Sequence, residues 1–527
     1  MQDHQISITL DGEQPVVDYA DIFNVAVMFI DRHLDQGRAS KIVIHTVGDD
    51  DVTYGELYKN VNRVGNVLKS SGLGSGDRML MMVKDSPEFY YLFWGAIKSG
   101  IIPVPINTLL RAKDFTFMIE DSGCRAVVYS PEFSAEVESA LAAAAHKPDV
   151  TFLTAGNGPS LQGQMLGASD ELTAALSSSS DDCFWLYSSG TTGTPKGTVH
   201  LHRDMVETSF HYAENTLGLS ENDICFSAAK LFFAYGLGNA MTFPLWVGGT
   251  AVLLSGPPSP ESTFDVIENY RPTVFFGVPT LYAAQLKSLH QKRRDLSSLK
   301  FCVSAGEALP ADIFHRWEKT TGTKILDGIG STEALHIFIS NLLHDVCPGT
   351  SGRIVEGYEA RIIGDNGQQA NVGDSGCLMI KGRSNAKYYW NNPEKTAASM
   401  VDGWLNTGDT YFLDNQGYYH YCGRNDDMLK VGGIWCSPFE IEAKLIEHEK
   451  VLEAAVVGRA DDAGLIKPQA YIVLNNKSDA GDMLAQELLQ HCKSGLAKYK
   501  YPRWFEFVDD LPKTATGKIK RFVLRSS

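Results

Sequence analysis

Four stretches of this chain combine residue types that could handle a polyphosphate. The first is Tyr187-Ser188-Ser189-Gly190-Thr191-Thr192-Gly193-Thr194-Pro195-Lys196-Gly197. Its glycines let backbone N–H groups turn toward an oxyanion, its hydroxyls add donors, and Lys196 supplies a point charge. It is not a Walker A loop. Pro195 precedes the lysine, and Gly197 stands where Ser or Thr would be needed for a magnesium ion, which disfavours a P-loop NTPase. The second stretch is Asp327-Gly328-Ile329-Gly330-Ser331-Thr332-Glu333, and the third is Gly403-Trp404-Leu405-Asn406-Thr407-Gly408-Asp409. The fourth is the terminal Pro512-Lys513-Thr514-Ala515-Thr516-Gly517-Lys518-Ile519-Lys520-Arg521. Taken singly, Asp409 reads equally well as a turn residue and Lys518 as part of a solvated basic tail. The small-residue run Ser304-Ala305-Gly306-Glu307-Ala308-Leu309-Pro310 reads as a tight turn or as a close backbone approach to a ligand.

The elements that must carry these residues follow from the apolar pattern. Short apolar runs alternate with helical patterns, which predicts a layered α/β body. Buried strands are expected at Arg78–Val83, Ala126–Tyr129, Cys183–Leu186 and Val274–Val278, with helices at Ser86–Lys98 and Leu281–Leu289. The Gly-, Ser- and Ala-rich stretch Gly156–Ser180 reads as a mobile or solvent-facing connection. From Gly352 the pattern changes to short strands, with a hairpin signal at Gly364-Asp365-Asn366-Gly367. A boundary is expected near Gly423-Arg424-Asn425-Asp426-Asp427. It separates residues 1–423, a large N-terminal body of several subdomains, from residues 424–527, a small mobile α+β domain. That domain is expected to hold a helix near Glu440–Glu447, a strand around Ala454–Val457, a helix near Leu484–Ser494 and a basic tail.

With 527 residues the chain exceeds one ordinary core, and its net charge of −16 provides no basic field for nucleic acid or an anionic membrane. An anionic ligand must therefore be held by local donors. The nine cysteines are scattered, with no Cys-x-x-Cys pair, as expected of reduced thiols in a reducing compartment. The N-terminus lacks a basic start followed by an apolar run. Leu231–Gly256 carries no charge, but Gly236, Gly238, Pro244, Gly248 and Gly249 punctuate it as a buried loop, a short helix and the strand Thr250–Leu254 rather than a membrane span. A cytoplasmic protein is expected. Nothing in the sequence sets an oligomeric state.

Taken in order, these stretches resemble the motifs of the adenylate-forming superfamily of acyl- and aryl-CoA synthetases, peptide-synthetase adenylation domains and firefly luciferase. The resemblance runs from about residue 50 to 520 and implies roles for named positions. ATP would be bound by Ser188, Thr191, Thr192, Lys196, Gly306, Glu307, Asp327, Thr332, Asp409, Arg424 and Lys518, with Asp409 on the ribose hydroxyls. Glu333 would hold Mg²⁺, because a hard cation takes carboxylate oxygen and bridges phosphates. Ile329 stands where many relatives carry an aromatic residue. Lys518 would be catalytic, offsetting the repulsion between an attacking carboxylate and the α-phosphate. Asp426 would be the hinge about which the small domain rotates. Rotation would withdraw Lys518 and bring Lys430-Val431-Gly432-Gly433 to the acyl-adenylate, with Gly432 and Gly433 along the path of coenzyme A.

The acid pocket implied by the resemblance is formed by Phe233, Ala234, Tyr235, Ala305, Gly306, Gly328, Gly330, His336, Ile337 and Lys430. A short cavity with aromatic walls suits an aryl ring better than a long flexible chain. Phe233 and Tyr235 read equally as core aromatics, His336 as an interior histidine and Lys430 as a solvated loop lysine. Phe-Ala-Tyr-Gly-Leu-Gly-Asn and Gly-Ile-Gly-Ser-Thr-Glu-Ala-Leu-His-Ile-Phe are similar to the corresponding stretches of bacterial benzoate–CoA ligases as a group. The implied partner is a small aryl carboxylic acid and the implied co-substrates are ATP and coenzyme A. Benzoate is favoured over hydroxy- or aminobenzoates, and a unit that loads a carrier protein is the alternative.

Overall fold

The computed structural model describes residues 2–12, 14–156, 160–188, 195–431, 434–462, 464–513 and 519–525. Two sheets with parallel centres form the body. A nine-stranded sheet runs in the order Arg353–Ile354, Ile337–Ser340, Ile325–Gly330, Phe301–Ser304, Val274–Gly277, Ile224–Ser227, Thr250–Leu253, Ile42–Thr46, Val52–Thr53. Its central strands are parallel, and the nucleotide-motif strand Ile325–Gly330 pairs antiparallel with Ile337–Ser340. A four-stranded parallel sheet holds Ile102–Pro105, Arg78–Met82, Ala126–Tyr129 and Val150–Leu153. Its two central strands are almost wholly buried, as expected for parallel strands covered on both faces.

Helix Pro87–Lys98 was expected from apolar residues at helical intervals. Every residue from Phe89 to Lys98 is buried, so it is a core helix with no solvent face. Lys98 is satisfied inside this core by Asp31 at 2.6 Å and Asn62 Oδ1 at 2.8 Å. Helix Tyr54–Ser70 beside it starts with a capping box between Thr53 and Glu56.

The connection between Gly156 and Ser180 faces solvent for most of its length, but it is tied down. Leu161 is buried at the start of the helical turn Leu161–Met165. The Asn62 and Asn66 side chains donate to the carbonyls of Asp170, Ser169 and Glu171 at 2.8–2.9 Å, and the Ala175 amide donates to Lys98 at 2.8 Å. The uncharged run from Leu231 folds as helical turns Ala234–Leu237, Gly238–Thr242 and Phe243–Val247 followed by strand Thr250–Leu253. Among the described residues, no helix is long and apolar enough to cross a membrane.

Past Gly352 an antiparallel sheet joins Tyr358–Ile363, Gly376–Gly382, Trp404–Leu413 and Tyr419–Arg424. The turn signal at Gly364–Gly367 closes a tight turn, with the Gly364 amide donating to the Gln368 carbonyl at 2.9 Å. Beyond Arg424, strands Val451–Ala460, Ile466–Leu474 and Trp504–Phe507 form a three-stranded sheet. Helices Pro438–Ile446 and Asp482–Gly495 cover it. Leu429, Ile441, Leu445, Val456, Ile472, Leu488 and their neighbours form an apolar core built only from residues beyond 428.

Candidate active site

Strand Asp182–Ser188 and strand Lys196–Leu201, which flank the Gly- and Thr-rich stretch, are antiparallel neighbours with Ser188 opposite Lys196, as in a β-hairpin. A P-loop would run into a helix; here it returns as a strand. Ser189 to Thr194 lie outside the described residues, and with them the expected contacts Thr191 and Thr192. The two ends of the hairpin converge on Glu333. Ser188 Oγ donates to Glu333 Oε1 at 3.4 Å, and the Tyr389 hydroxyl donates to the same oxygen at 2.8 Å. Lys196 Nζ lies over the Tyr389 ring, 4.5 Å from its centre. Burial lowers the pKa of Lys196, Glu333 opposes that shift, and Lys395 and Arg424 add to it. Lys196 and Arg424 thus both feel the Glu333 carboxylate, and Lys395 is a further cation near Lys196.

Tyr389 and Lys395 were not found by sequence reasoning. Tyr389 reaches the site because strand Tyr388–Tyr389 pairs with Lys196–Leu201, Thr198 opposite Tyr389. Lys395 follows on helix Pro393–Ser399. The Tyr-Tyr-Trp run at 388–390 was the available signal, but its strand pairing spans almost two hundred residues.

Strands Ile325–Gly330 and Ile337–Ser340 form a hairpin whose connection carries Ser331, Thr332 and Glu333. Gly328 and Gly330 are required by close approach. A Cβ on Gly328 would lie 2.8 Å from the Ile339 carbonyl oxygen, and one on Gly330 would lie 2.5 Å from that of His336. The connection is held from outside. His200 bridges the half-buried Thr332 carbonyl (2.9 Å) and Asp204 Oδ2 (2.9 Å), the histidine and the aspartate both fully buried. The Ala386 amide donates to the Glu333 carbonyl at 2.7 Å. His200 too escaped the sequence, since nothing local links it to a motif 132 residues away.

Beside this hairpin, the turn after strand Phe301–Ser304 passes through Gly306 at φ +97°, a conformation that favours glycine. Ala305 is buried, whereas Gly306 is exposed. Asp327 Oδ2 accepts the Leu309 amide at 3.2 Å and pins the turn. Asp327 is fully enclosed, its pKa pushed up to about 8 by burial against the opposing Leu309 amide. Its other oxygen, Oδ1, has no hydrogen-bond partner among the described residues. Glu307 gives a carboxylate oxygen to the backbone amide of Ile519 at 2.8 Å.

Asp409 and Arg424 face each other on paired strands, Arg424 Nη1 donating to Asp409 Oδ1 at 2.9 Å. Gly408 beside them has φ +74° and abuts the Arg424 guanidinium. Burial would lower the pKa of Arg424, but Asp409 and Tyr421 more than reverse it.

Behind the hairpin lies an aromatic cluster. The His336 ring centre is 4.4 Å from Phe243, 5.3 Å from Tyr212 and 5.5 Å from Tyr235. Its Nε2 is 3.1 Å from Asn239 Oδ1, whereas Nδ1 has no hydrogen-bond partner among the described residues. Burial drives the His336 pKa down to about 3, so the ring is neutral. The Tyr235 hydroxyl donates to the Gly277 and Val303 carbonyls at 3.2 and 3.3 Å, where two parallel strands end. Phe233 is half-buried, its ring T-shaped on Phe232 at 4.4 Å, and Ala234 and Ile337 are buried. The turn leading into Ala234–Leu237 is tied by Asp85, which accepts the Leu231 amide at 3.1 Å and faces Lys230 at 3.7 Å. A Cβ on Gly236 would lie 2.1 Å from the Lys230 carbonyl oxygen.

Lys430 is not part of this buried cluster. It is exposed on strand Leu429–Val431, its Nζ 5.1 Å from the Trp435 ring centre, and the Trp435 indole donates to Asp365 at 3.1 Å. Asp426 is exposed in the turn between strands Tyr419–Arg424 and Leu429–Val431. Gly432, Gly433 and Lys518 lie outside the described residues.

Among the described residues, no group of three or more His, Cys, Asp or Glu is arranged to hold a metal ion. A lone carboxylate beside a phosphate loop still fits magnesium, which keeps waters and takes one or two carboxylates plus phosphate oxygens.

The geometry can be set beside known proteins. A family model described as AMP-binding enzyme matches residues 31–390, and one for the AMP-binding enzyme C-terminal domain matches residues 440–518. A benzoate–CoA ligase of Thauera aromatica is 49% identical over 521 residues, covering 97% of this chain and 98% of that protein. A 4-hydroxybenzoate–CoA/benzoate–CoA ligase of Rhodopseudomonas palustris is 45% identical, covering 95% of this chain and 94% of that protein. Among solved structures, the anthranilate CoA ligase AuaEII in complex with anthranoyl-AMP has a TM-score of 0.93 at 41% identity, covering 97% of this chain and 98% of that one. A benzoate CoA ligase from Burkholderia xenovorans LB400 has a TM-score of 0.89 at 42% identity, covering 96% of this chain and 100% of that one.

Proposed function

The chain belongs to the AMP-binding enzyme family, and from that premise we propose that it joins benzoate to coenzyme A, cleaving ATP to AMP and pyrophosphate through a benzoyl-adenylate. It is an AMP-forming acid–thiol ligase, with ATP and coenzyme A as co-substrates. The observation that carries the choice of an aryl acid is the single hairpin Ile325–Ser340. Its connection bears Thr332 and Glu333, and its return brings His336 and Ile337 into the aromatic cluster with Tyr235 and Phe243. An acid bound against that wall would have its carboxylate toward the connection that carries Thr332 and Glu333.

A carboxylate is ionised at neutral pH and is a poor electrophile. Its oxygen attacks the α-phosphorus of ATP, the bond to the bridging oxygen breaks, and pyrophosphate departs. The mutual proximity of Lys196, Arg424 and Lys395 supports a site in which positive charge offsets the approach of two anions. Lys518 is the residue we assign to that task at the α-phosphate. Glu333 would hold magnesium, which would supply positive charge against the negative charge of the leaving pyrophosphate. The unpartnered Oδ1 of buried Asp327 supports a contact with an amino N–H of the adenine ring, and Gly306 supports close passage of the backbone beside it. Asp409 is assigned to the ribose diol. In the second half-reaction the thiol sulfur attacks the acyl carbon and AMP leaves.

The separate core beyond residue 428 supports a division into residues 1–423 and 424–527, with Asp426 as hinge. Rotation there would exchange Lys518 for the Lys430–Gly433 loop at the acyl-adenylate. The test is CoA-thioester formation from benzoate, hydroxybenzoates, aminobenzoates, cyclohexene carboxylates and medium-chain fatty acids, with AMP release followed in parallel. Benzoate is expected to lead; octanoate outperforming every aromatic acid would refute the pocket assignment. Acid-dependent pyrophosphate release without acylation of free CoA would instead indicate a carrier-loading unit.

One observation favours a second reading of the acid. The unpartnered Nδ1 of neutral His336 offers an acceptor inside an apolar wall, which a ring hydroxyl or amino group would satisfy. The same panel separates the readings, because a hydroxy- or aminobenzoate would then exceed benzoate in kcat/KM.

A further inference from the structure

The bond between Glu307 and the backbone amide of Ile519 joins the turn beside the nucleotide motif to the C-terminal end of the chain. Ile519 directly follows Lys518, and the described residues on either side of 514–518 are tied to one another. Lys513 and Ile519 form an antiparallel bridge, and the Lys520 amide donates to the Pro512 carbonyl at 2.7 Å. The first end of that bridge is anchored within the C-terminal part itself, Lys513 Nζ lying 2.8 Å from Glu453 and 3.0 Å from Asp510. The second end is anchored across to the body by Glu307.

Polar contacts between residues beyond 428 and the body before residue 408 are sparse among the described residues. Trp435 reaches Asp365 at 3.1 Å and Lys287 reaches the Asn475 carbonyl at 3.4 Å, while Ile519 to Glu307 is the shortest at 2.8 Å. A carboxylate accepting a backbone N–H is the strong, charge-assisted kind of bond. Glu307 is also well placed to sense the nucleotide side, because its turn is pinned to Asp327 through the Leu309 amide. Both Glu307 and Ile519 are only half-buried, so the bond can open without exposing a core.

We propose that Glu307 is a positioning residue for the adenylation half-reaction: its carboxylate holds the C-terminal segment on the body at Ile519 by accepting that residue's amide, and the bond opens before thioester formation. This rests on the ligase reading above. It predicts a half-reaction bias that a general ATP contact or a merely structural role would not produce.

The test uses the full-length enzyme and the variants Glu307→Ala and Glu307→Gln. The glutamine keeps an oxygen that can accept the same N–H; alanine does not. Adenylation is read as acid-dependent pyrophosphate release, and the second step as thioester formation from synthetic benzoyl-adenylate and CoA. Glu307→Ala should lower kcat of adenylation by about tenfold or more with the KM for ATP within about twofold, and Glu307→Gln should recover to within about threefold of wild type. Thioester formation from the adenylate should stay within about twofold in both, which also reports that the variants are folded. Unchanged adenylation in Glu307→Ala, a rise in the KM for ATP with kcat intact, or equal loss of both steps would each overturn the proposal. Wild-type enzyme that releases no pyrophosphate with any acid would overturn the ligase reading itself, whereas active wild type with an indifferent Glu307→Ala overturns only this assignment.

Discussion

Asp409 and Arg424 lie opposite each other on neighbouring antiparallel strands, joined by a 2.9 Å bond from guanidinium to carboxylate. The pair ties the strand assigned to ribose recognition to the last residue before the turn that holds Asp426. A carboxylate paired with a guanidinium through one oxygen keeps acceptor capacity for a diol. Asp409→Asn should therefore raise the KM for ATP by about 10- to 100-fold, equivalent to about 1.4–2.8 kcal/mol. The variant should also lose discrimination against 2′,3′-dideoxy-ATP. Steady-state kinetics with both nucleotides checks this, and a wild-type enzyme indifferent to the missing hydroxyls would contradict the ribose role.

Tyr389 donates to Glu333 and lies under the Lys196 ammonium, so it orients the carboxylate assigned to magnesium. Tyr389→Phe keeps the ring and removes one hydrogen bond to a charged acceptor, typically about 1.5–3 kcal/mol. Adenylation should slow by about tenfold or more, and the magnesium concentration giving half-maximal rate should rise. Pyrophosphate release titrated with magnesium measures both, and an unaltered magnesium dependence would count against Glu333 as the ligand.

Lys518→Ala should reduce adenylation by more than about a hundredfold, on the order of 3 kcal/mol of barrier. Thioester formation from preformed benzoyl-adenylate should be far less affected. Comparable losses in both half-reactions would rule out the assignment.

His336 gives a pH prediction with a definite sign. Its folded pKa, about 3, lies below the ordinary value of 6.5, because burial disfavours the charged ring. The stability it contributes is fully present above pH 6.5 and is lost as pH falls toward 3, since the unfolded chain takes up the proton first. His336→Asn lacks that proton. The stability of wild type relative to the variant should fall by about 1.4 kcal/mol per pH unit below 6.5. Asp85 and Asp327, whose buried carboxyls titrate abnormally high, affect both proteins alike and cancel in the difference. Thermal unfolding of both proteins at pH 7.5 and 5.5 is the measurement; a constant gap in midpoint would show the ring to be charged or exposed.

Much of the scaffold was legible because its cause is local. Strand Ala126–Tyr129 has the expected bounds, and helices Pro87–Lys98 and Asp482–Gly495 start and stop close to where apolar spacing, proline and glycine place them. The apolar run at Leu231 was readable as broken turns from its glycines and Pro244, and at Gly236 and Gly249 a Cβ would strike backbone. The Gly156–Ser180 connection faces solvent as one of its two readings had it, but its tethering was not legible, because the asparagines that tie it down belong to a helix a hundred residues earlier.

What the sequence determined by itself was the chemistry on offer: a glycine-rich cradle with Lys196, an acid at Glu333, carboxylates at Asp327 and Asp409, and a terminal basic loop. Residue type sets which groups are able to carry charge or donate hydrogen bonds, whatever the fold. Which of these groups meet, and in what protonation state, was decided only by the tertiary structure. Tyr389 reaches Glu333 through a strand pairing, and His200 grips Thr332 from 132 residues away. Asp327 and His336 acquire unusual pKa values because the surrounding chain excludes water. Hydrogen bonds and desolvation depend on distances of a few ångströms between segments remote in sequence, and no local pattern encodes them.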